Sequence, residues 1–146
     1  MLERNKWNNE KLKEFWNNCF SNVPAYEVKE KWVNNQKFND TLKNNLKSDS
    51  VVLDYGCGVG WALMEAYHTV NFMKGIGIDT SNNAIETANK IKDLSNLTNL
   101  SFFCGDVKEL NNYQNYFDFI ISINTIDVIP DEIGEKIIDY LYKNKW

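Results

Sequence analysis

The chain is poor in arginine, histidine and proline. Its 146 residues include one arginine, Arg4, one histidine, His68, and two prolines. A surface that neutralises nucleic-acid phosphates needs clustered cations. Here the lysines stand singly and the formal net charge is −4, so a dedicated nucleic-acid surface is excluded. Cysteine is also sparse: Cys19, Cys57 and Cys104 lie far apart, without a Cys-x-x-Cys or a metal-type pair. An odd number leaves one thiol over from any pairing, which suits reduced cysteines in a cytoplasm. No charged segment followed by an apolar one opens the chain. No apolar run is long enough to cross a bilayer. The expectation is a cytoplasmic protein without membrane or nucleic-acid partners, one domain large enough to bury a real core.

What is present falls into two regions. Residues 1–47 are polar and rich in Asn and Lys, with scattered aromatics. Leu12, Phe15, Trp16, Cys19 and Phe20 fall at helical spacing and predict one apolar face. Pro24 breaks that pattern. A second helical pattern runs through Val28, Trp32, Val33, Leu42 and Leu46, and "KSDS" (47–50) is a turn. The region is expected to be a helical lid or cap packed on the same domain.

Residues 48–146 alternate strand and helix. Strands are expected over 51–54, 74–79, 100–104 and 117–123, and helices over 61–70, 84–94 and 131–142. The continuous apolar run "FDFIISI" fits a strand covered on both faces. Such alternation predicts an α/β fold with a mainly parallel sheet and helices on both sides. Right-handed crossovers place all strand C-termini on one edge, where ligands bind.

The stretch "VVLDYGCGVGW" (51–61) joins the first strand to the first helix of that region. Gly56, Gly58 and Gly60 alternate directly after an aliphatic run. A nucleoside-triphosphate loop would continue Gly-Lys-Ser/Thr, which is missing. The dinucleotide fingerprint Gly-x-Gly-x-x-Gly is one residue short, with Trp61 at its third glycine. Asp54, two residues before the first glycine, would repel a pyrophosphate and suits a ligand with cationic groups. S-adenosylmethionine carries a sulfonium and an ammonium and no phosphate.

With these residues in view, the chain resembles class I S-adenosylmethionine-dependent methyltransferases. "VVLDYGCGVG" is similar to their first motif. "GIGIDTSNNAIETANK", "LSFFCGDVKEL" and "YFDFIISINTIDVI" resemble, in order, the second, third and fourth strands with their loops. The resemblance implies a three-layer Rossmann-like fold with N-terminal helices and strand order 3-2-1-4. It implies methyl transfer from S-adenosylmethionine to a small-molecule acceptor, with S-adenosylhomocysteine as product. The family's sheet has seven strands and this stretch matches four. The expectation is therefore a core incomplete at its C-terminus, a fragment or a sheet completed by a second copy in a homodimer.

Several residues acquire expected roles. Asp79 lies 21 positions after Gly58 and ends the second strand, where a carboxylate can accept both hydroxyls of a ribose. Thr80 beside it belongs to the same site. A helix-start acid is the plain alternative for Asp79, but Thr80 and Ser81 can cap that helix. Asp106 and the amide of Val107 match the family's adenine contacts, with an N-cap of a short helix near 107–110 as the competing role. Gly56, Cys57, Gly58 and Gly60 line the methionine half. Cys57 has no histidine partner and is expected to be a small buried residue; His68 is expected to be exposed. By resemblance, Ile123 and Asn124 meet the cofactor ammonium through backbone carbonyls. Asp127 stands where many small-molecule members carry a histidine, as a general base or simply a helix-entry acid. By resemblance, Trp16, Phe20, Tyr26 and Trp32 are candidates for a lid and acceptor pocket, with Tyr26 reaching the cofactor carboxylate; the plain alternative is that these aromatics only dock the helices on the sheet. No metal site is expected. Two other classes stay open on the sequence: a nicotinamide-dependent oxidoreductase, and a binding module that keeps the fold without catalysis.

Overall fold

The computed structural model describes residues 6–25 and 35–145. Tyr26, Val28, Trp32 and Val33 lie outside the described residues. Helix α1 spans Asn9–Cys19 and begins at Asn8, whose side chain accepts from the Lys11 backbone N–H. Helix α2 spans Gln36–Asn45 and is capped in the same way by Asn35. Asn and similar residues are favoured here because the side-chain oxygen satisfies one of the helix's orphan amides. Leu12 is buried on α1, and Leu42 and Leu46 are buried at α2. Cys19, expected on the apolar face of α1, is instead exposed at the last position of the helix.

Strand β1 (Val51–Tyr55) leads into α3 (Trp61–Val70), β2 (Lys74–Asp79), α4 (Asn82–Leu94) and β3 (Leu100–Cys104). A 3-10 helix, Val107–Tyr113, precedes β4 (Phe119–Ile121). A second short 3-10 helix, Ile126–Val128, leads into α5 (Asp131–Lys145). The four strands form one sheet in the order β3-β2-β1-β4, and every pair is parallel. All five residues of β1 are buried, as a strand covered on both faces requires. One face packs against Leu42 of α2, Leu63 and Met64 of α3 and Ile91 of α4. The other packs against Leu12, Leu110, Ile137 and Leu141. The expected three-layer α/β architecture and strand order are therefore present.

The fourth strand is shorter than expected, three residues in place of seven. Its ladder with β1 covers only Val52 to Asp54. Before it, the Asp118 carboxylate accepts the Val51 N–H at 2.7 Å, so a side chain takes over the role of a ladder bond. After it, the chain turns into a left-handed residue, Asn124, with φ of 53°. No helix among the described residues is long and apolar enough to cross a membrane.

Candidate functional site

The register places Tyr55, Asp79, Cys104 and Ile121 at the C-terminal edge of the sheet. The strand order reverses between β1 and β4, and such a switch point opens a crevice. The glycine loop leaves β1 at this position. Gly56, Gly58 and Gly60 all have positive φ, at 73°, 51° and 83°. At Gly56 the requirement is double. Its backbone lies in the left-handed region, and a Cβ there would run into the Thr125 side chain.

The loop is tied to β2 by backbone bonds. The N–H groups of Gly56 and Cys57 both donate to the Ile78 carbonyl, at 2.8 and 3.0 Å. The Gly58 N–H donates to Asp79 Oδ2 at 2.8 Å, and the Ser81 N–H to Asp79 Oδ1 at 2.9 Å. Asp79 is thus a clamp between the glycine loop and the start of α4, while Ser81 is the true N-cap. Burial pushes the Asp79 carboxyl up from its ordinary range, against the N–H groups of Ser81, Gly58 and Thr80. Thr80 is half-buried, and its carbonyl receives the Cys104 thiol at 3.4 Å.

Asp54 lies under the loop and is 1% exposed. Burial pushes its carboxyl up to about 7; the Leu63 backbone N–H pulls the other way, and the Asp79 charge adds to the rise. Leu63 is the third residue of α3, whose N-cap, Gly60, has no side chain to offer. The strand carboxyl therefore takes the acceptor place that a capping side chain would fill. The Oδ2 oxygen of Asp54 is buried without a hydrogen-bond partner. A buried carboxylate oxygen left unpaired is costly, and such a group calls for an explanation.

Cys57 is buried at 4% exposure, and burial raises its thiol well above the ordinary value, as expected of a packed and unreactive residue. His68 is exposed, as expected. Asp106 is exposed and N-caps the 3-10 helix by accepting the Lys108 N–H at 2.8 Å. The Val107 amide faces the Tyr55 hydroxyl, which burial raises above its usual range, helped by the Asp106 and Asp79 charges. In the β4 loop Ile123 is half-buried and Asn124 exposed. Asp127 lies exposed in the short 3-10 turn.

Three residues that sequence reasoning missed shape the site. The Thr125 hydroxyl lies 3.2 Å from both the Gly56 and the Ile123 carbonyl. The Asn17 side-chain oxygen accepts from Ser81 Oγ and the Asn83 N–H, both at 3.1 Å, docking α1 on the start of α4. Tyr55 links β1 to the 3-10 helix. Tyr55 and Thr125 lie within the matched stretches but at positions that no motif names, and each acts through a contact far along the chain. Among the expected lid aromatics, Phe20 lies over Gly58, at 3.4 Å from a Cβ built there. A line of rings, Trp7, Phe15, Trp16 and Phe20, runs along α1 to that point.

Comparison with known proteins bears on this geometry. The model of a methyltransferase domain matches residues 46–144. Over 95 residues the chain is 30% identical to the "probable cobalt-precorrin-6B C(15)-methyltransferase (decarboxylating)" of Methanococcus vannielii, covering 64% of this chain and 52% of that protein. The chain thus spans about half the length of that relative. Among solved structures, PKMT2 from Rickettsia typhi in complex with AdoHcy superposes with a TM-score of 0.61 at 23% identity, covering 73% of this chain and 22% of that one. The [4+2]-cyclase SpnF superposes with a TM-score of 0.71 at 15% identity, covering 92% and 55%. With a match across most of its length, and with the glycine loop and sheet order that the sequence resemblance implied, the chain belongs to the class I S-adenosylmethionine-dependent methyltransferase family.

Proposed function

We propose that the C-terminal edge of the sheet holds S-adenosylmethionine and that the protein transfers its methyl group to a small-molecule acceptor. The observation that carries this reading is Asp54, fully buried beneath the glycine loop with one oxygen unpartnered. A carboxylate held there disfavours a pyrophosphate and favours a cationic ligand. The donor set fits the cofactor in other respects. Asp79 stands at the end of β2 with its carboxylate on loop amides, ready to exchange those bonds for ribose hydroxyls. Asp106 and Val107 would hold the adenine. Gly56, Cys57, Gly58 and Gly60 would line the methionine half, the Ile123 and Gly56 carbonyls would take its ammonium, and Thr80 and Asn124 would complete the site.

When bound, the cofactor supplies an activated methyl group on a sulfonium, so little acid–base chemistry is asked of the protein. The chain's task is to bind, orient and exclude water; orientation of this kind is worth up to roughly 7–11 kcal/mol. Phe20 lies over Gly58 and serves the lid role. Asp127 is the residue we propose as the base that takes a proton from an acceptor hydroxyl or amine.

The fold alone does not decide the reaction, since a [4+2]-cyclase shares it. The test is thermal unfolding with S-adenosylmethionine, S-adenosylhomocysteine, NAD and NADP, followed by incubation of labelled S-adenosylmethionine with a metabolite extract. Ligands that bind the native state raise the melting temperature by mass action. A rise with the two sulfur nucleosides and label in a small molecule support the reading. A rise with NAD alone contradicts it. A rise with the sulfur nucleosides and no label in any metabolite favours the non-catalytic binding module.

A further inference from the structure

The Gly56 and Ile123 carbonyls lie in the loops just beyond β1 and β4, and the Thr125 hydroxyl lies 3.2 Å from each. A hydroxyl carries one hydrogen, so it satisfies only one of them at a time. Thr125 is also the N-cap residue of the 3-10 helix Ile126–Val128, yet its side chain makes no capping bond there. A threonine in that place ordinarily turns its oxygen to the helix amides. This one turns away, toward two carbonyls, and packs its methyl group against Gly56. Two residues back along β1 lies Asp54, with its buried unpartnered oxygen. Two under-served acceptors beside a buried acid suit a group with several N–H donors and a positive charge, which is the chemistry of a primary ammonium.

We propose that Thr125 is a latch: in the free protein its hydroxyl holds the place of a ligand's primary ammonium, and a ligand bearing that group displaces it. The displaced hydroxyl has a local partner to return to, the unfilled cap of its own 3-10 helix. Thr125 therefore sets how strongly the amino-acid end of the cofactor is favoured over the bare nucleoside. This rests on the cofactor reading above.

The test is calorimetric titration of wild type, Thr125→Val and Thr125→Ser with S-adenosylhomocysteine, which has the ammonium, and 5′-methylthioadenosine, which lacks it. Valine keeps the packing against Gly56 and removes the competing hydroxyl. S-adenosylhomocysteine should bind the valine variant about 2- to 10-fold more tightly, the equivalent of one hydrogen bond. Methylthioadenosine should bind it as it binds wild type, and the serine variant should match wild type for both. Thr125→Ala must move in the same direction and serves where the valine variant does not fold. An unchanged ratio between the two ligands overturns the latch. So does weaker S-adenosylhomocysteine binding with methylthioadenosine unaffected, which makes the hydroxyl a fixed contact. Failure of wild type to bind either nucleoside overturns the cofactor reading itself, a result distinct from both.

Discussion

The two sides of the glycine loop are held in different ways. On the β2 side, Gly56 and Cys57 share the Ile78 carbonyl, and Gly58 and Ser81 share the two oxygens of Asp79. On the β4 side, one hydroxyl serves two carbonyls, Ser122 Oγ is buried without a partner, and Asn124 sits at positive φ. Asp54 lies between the two sides with one oxygen unsatisfied. The difference teaches that the β2 side is preorganised and the β4 side is arranged for exchange. A preorganised side lowers the ordering cost of binding. The sheet's switch point thus joins a fixed half-site to a yielding one.

The largest effect expected on this contrast comes from Asp54. Its folded pKa of about 7 lies above the ordinary 3.8, so the folded state holds a proton that the unfolded chain has released. The stability it confers is full below pH 3.8 and is lost as pH rises toward 7, by about 1.4 kcal/mol per unit and on the order of 4 kcal/mol in all. Asp54→Asn has no such slope. Urea unfolding from pH 4 to 8 should show the variant gaining on wild type as pH rises, with the gap levelling off above about pH 7. Parallel profiles would mean that the carboxylate is solvated or paired. Binding of S-adenosylmethionine to wild type should tighten over the same window, since the ionised acid favours a cation.

Gly56→Val strikes where the two sides meet. The added side chain meets both a left-handed backbone and the Thr125 side chain, and a loss of about 2–4 kcal/mol is expected. Denaturant unfolding measures it, and a loss under 0.5 kcal/mol would show that the β4 loop moves aside freely.

Asp79→Ala breaks the fixed side. Removing a charged acceptor should weaken S-adenosylhomocysteine and methylthioadenosine alike, by about 10- to 150-fold. An unchanged dissociation constant would leave Asp79 as a loop clamp only. The smallest effect is expected from Phe20→Ala, which uncovers Gly58. Affinity should fall by about 2- to 5-fold, the range of a partly buried aromatic contact, with little change in melting temperature.

The fixed half was the more legible in the sequence. Strand β1, the alternating glycines and the spacing to Asp79 follow from local pattern, because apolar runs and glycine turns depend on near neighbours. The yielding half was not. Thr125 reaches Gly56 across 69 residues, and Asn17 reaches Asn83 across 66. Polar residues in loops carry no periodicity that would reveal such partners. The fourth strand was overdrawn for a related reason. Its apolar run continues past the ladder, but Asp118 and Asn124 end the pairing on either side, by a side-chain bond to Val51 and by a left-handed turn. Asp106 shows the opposite case. Its capping role is local, and the structure shows it in the bond from the Lys108 N–H.

The most direct test of a fixed and a yielding half-site is a crystal structure of the protein with S-adenosylhomocysteine. The account predicts the ribose against Asp79 with the glycine loop unmoved, and the amino-acid end on the Gly56 and Ile123 carbonyls with Thr125 turned away. A nucleoside bound elsewhere on the chain, or bound at this edge only after the β2 side of the loop has rearranged, would contradict it.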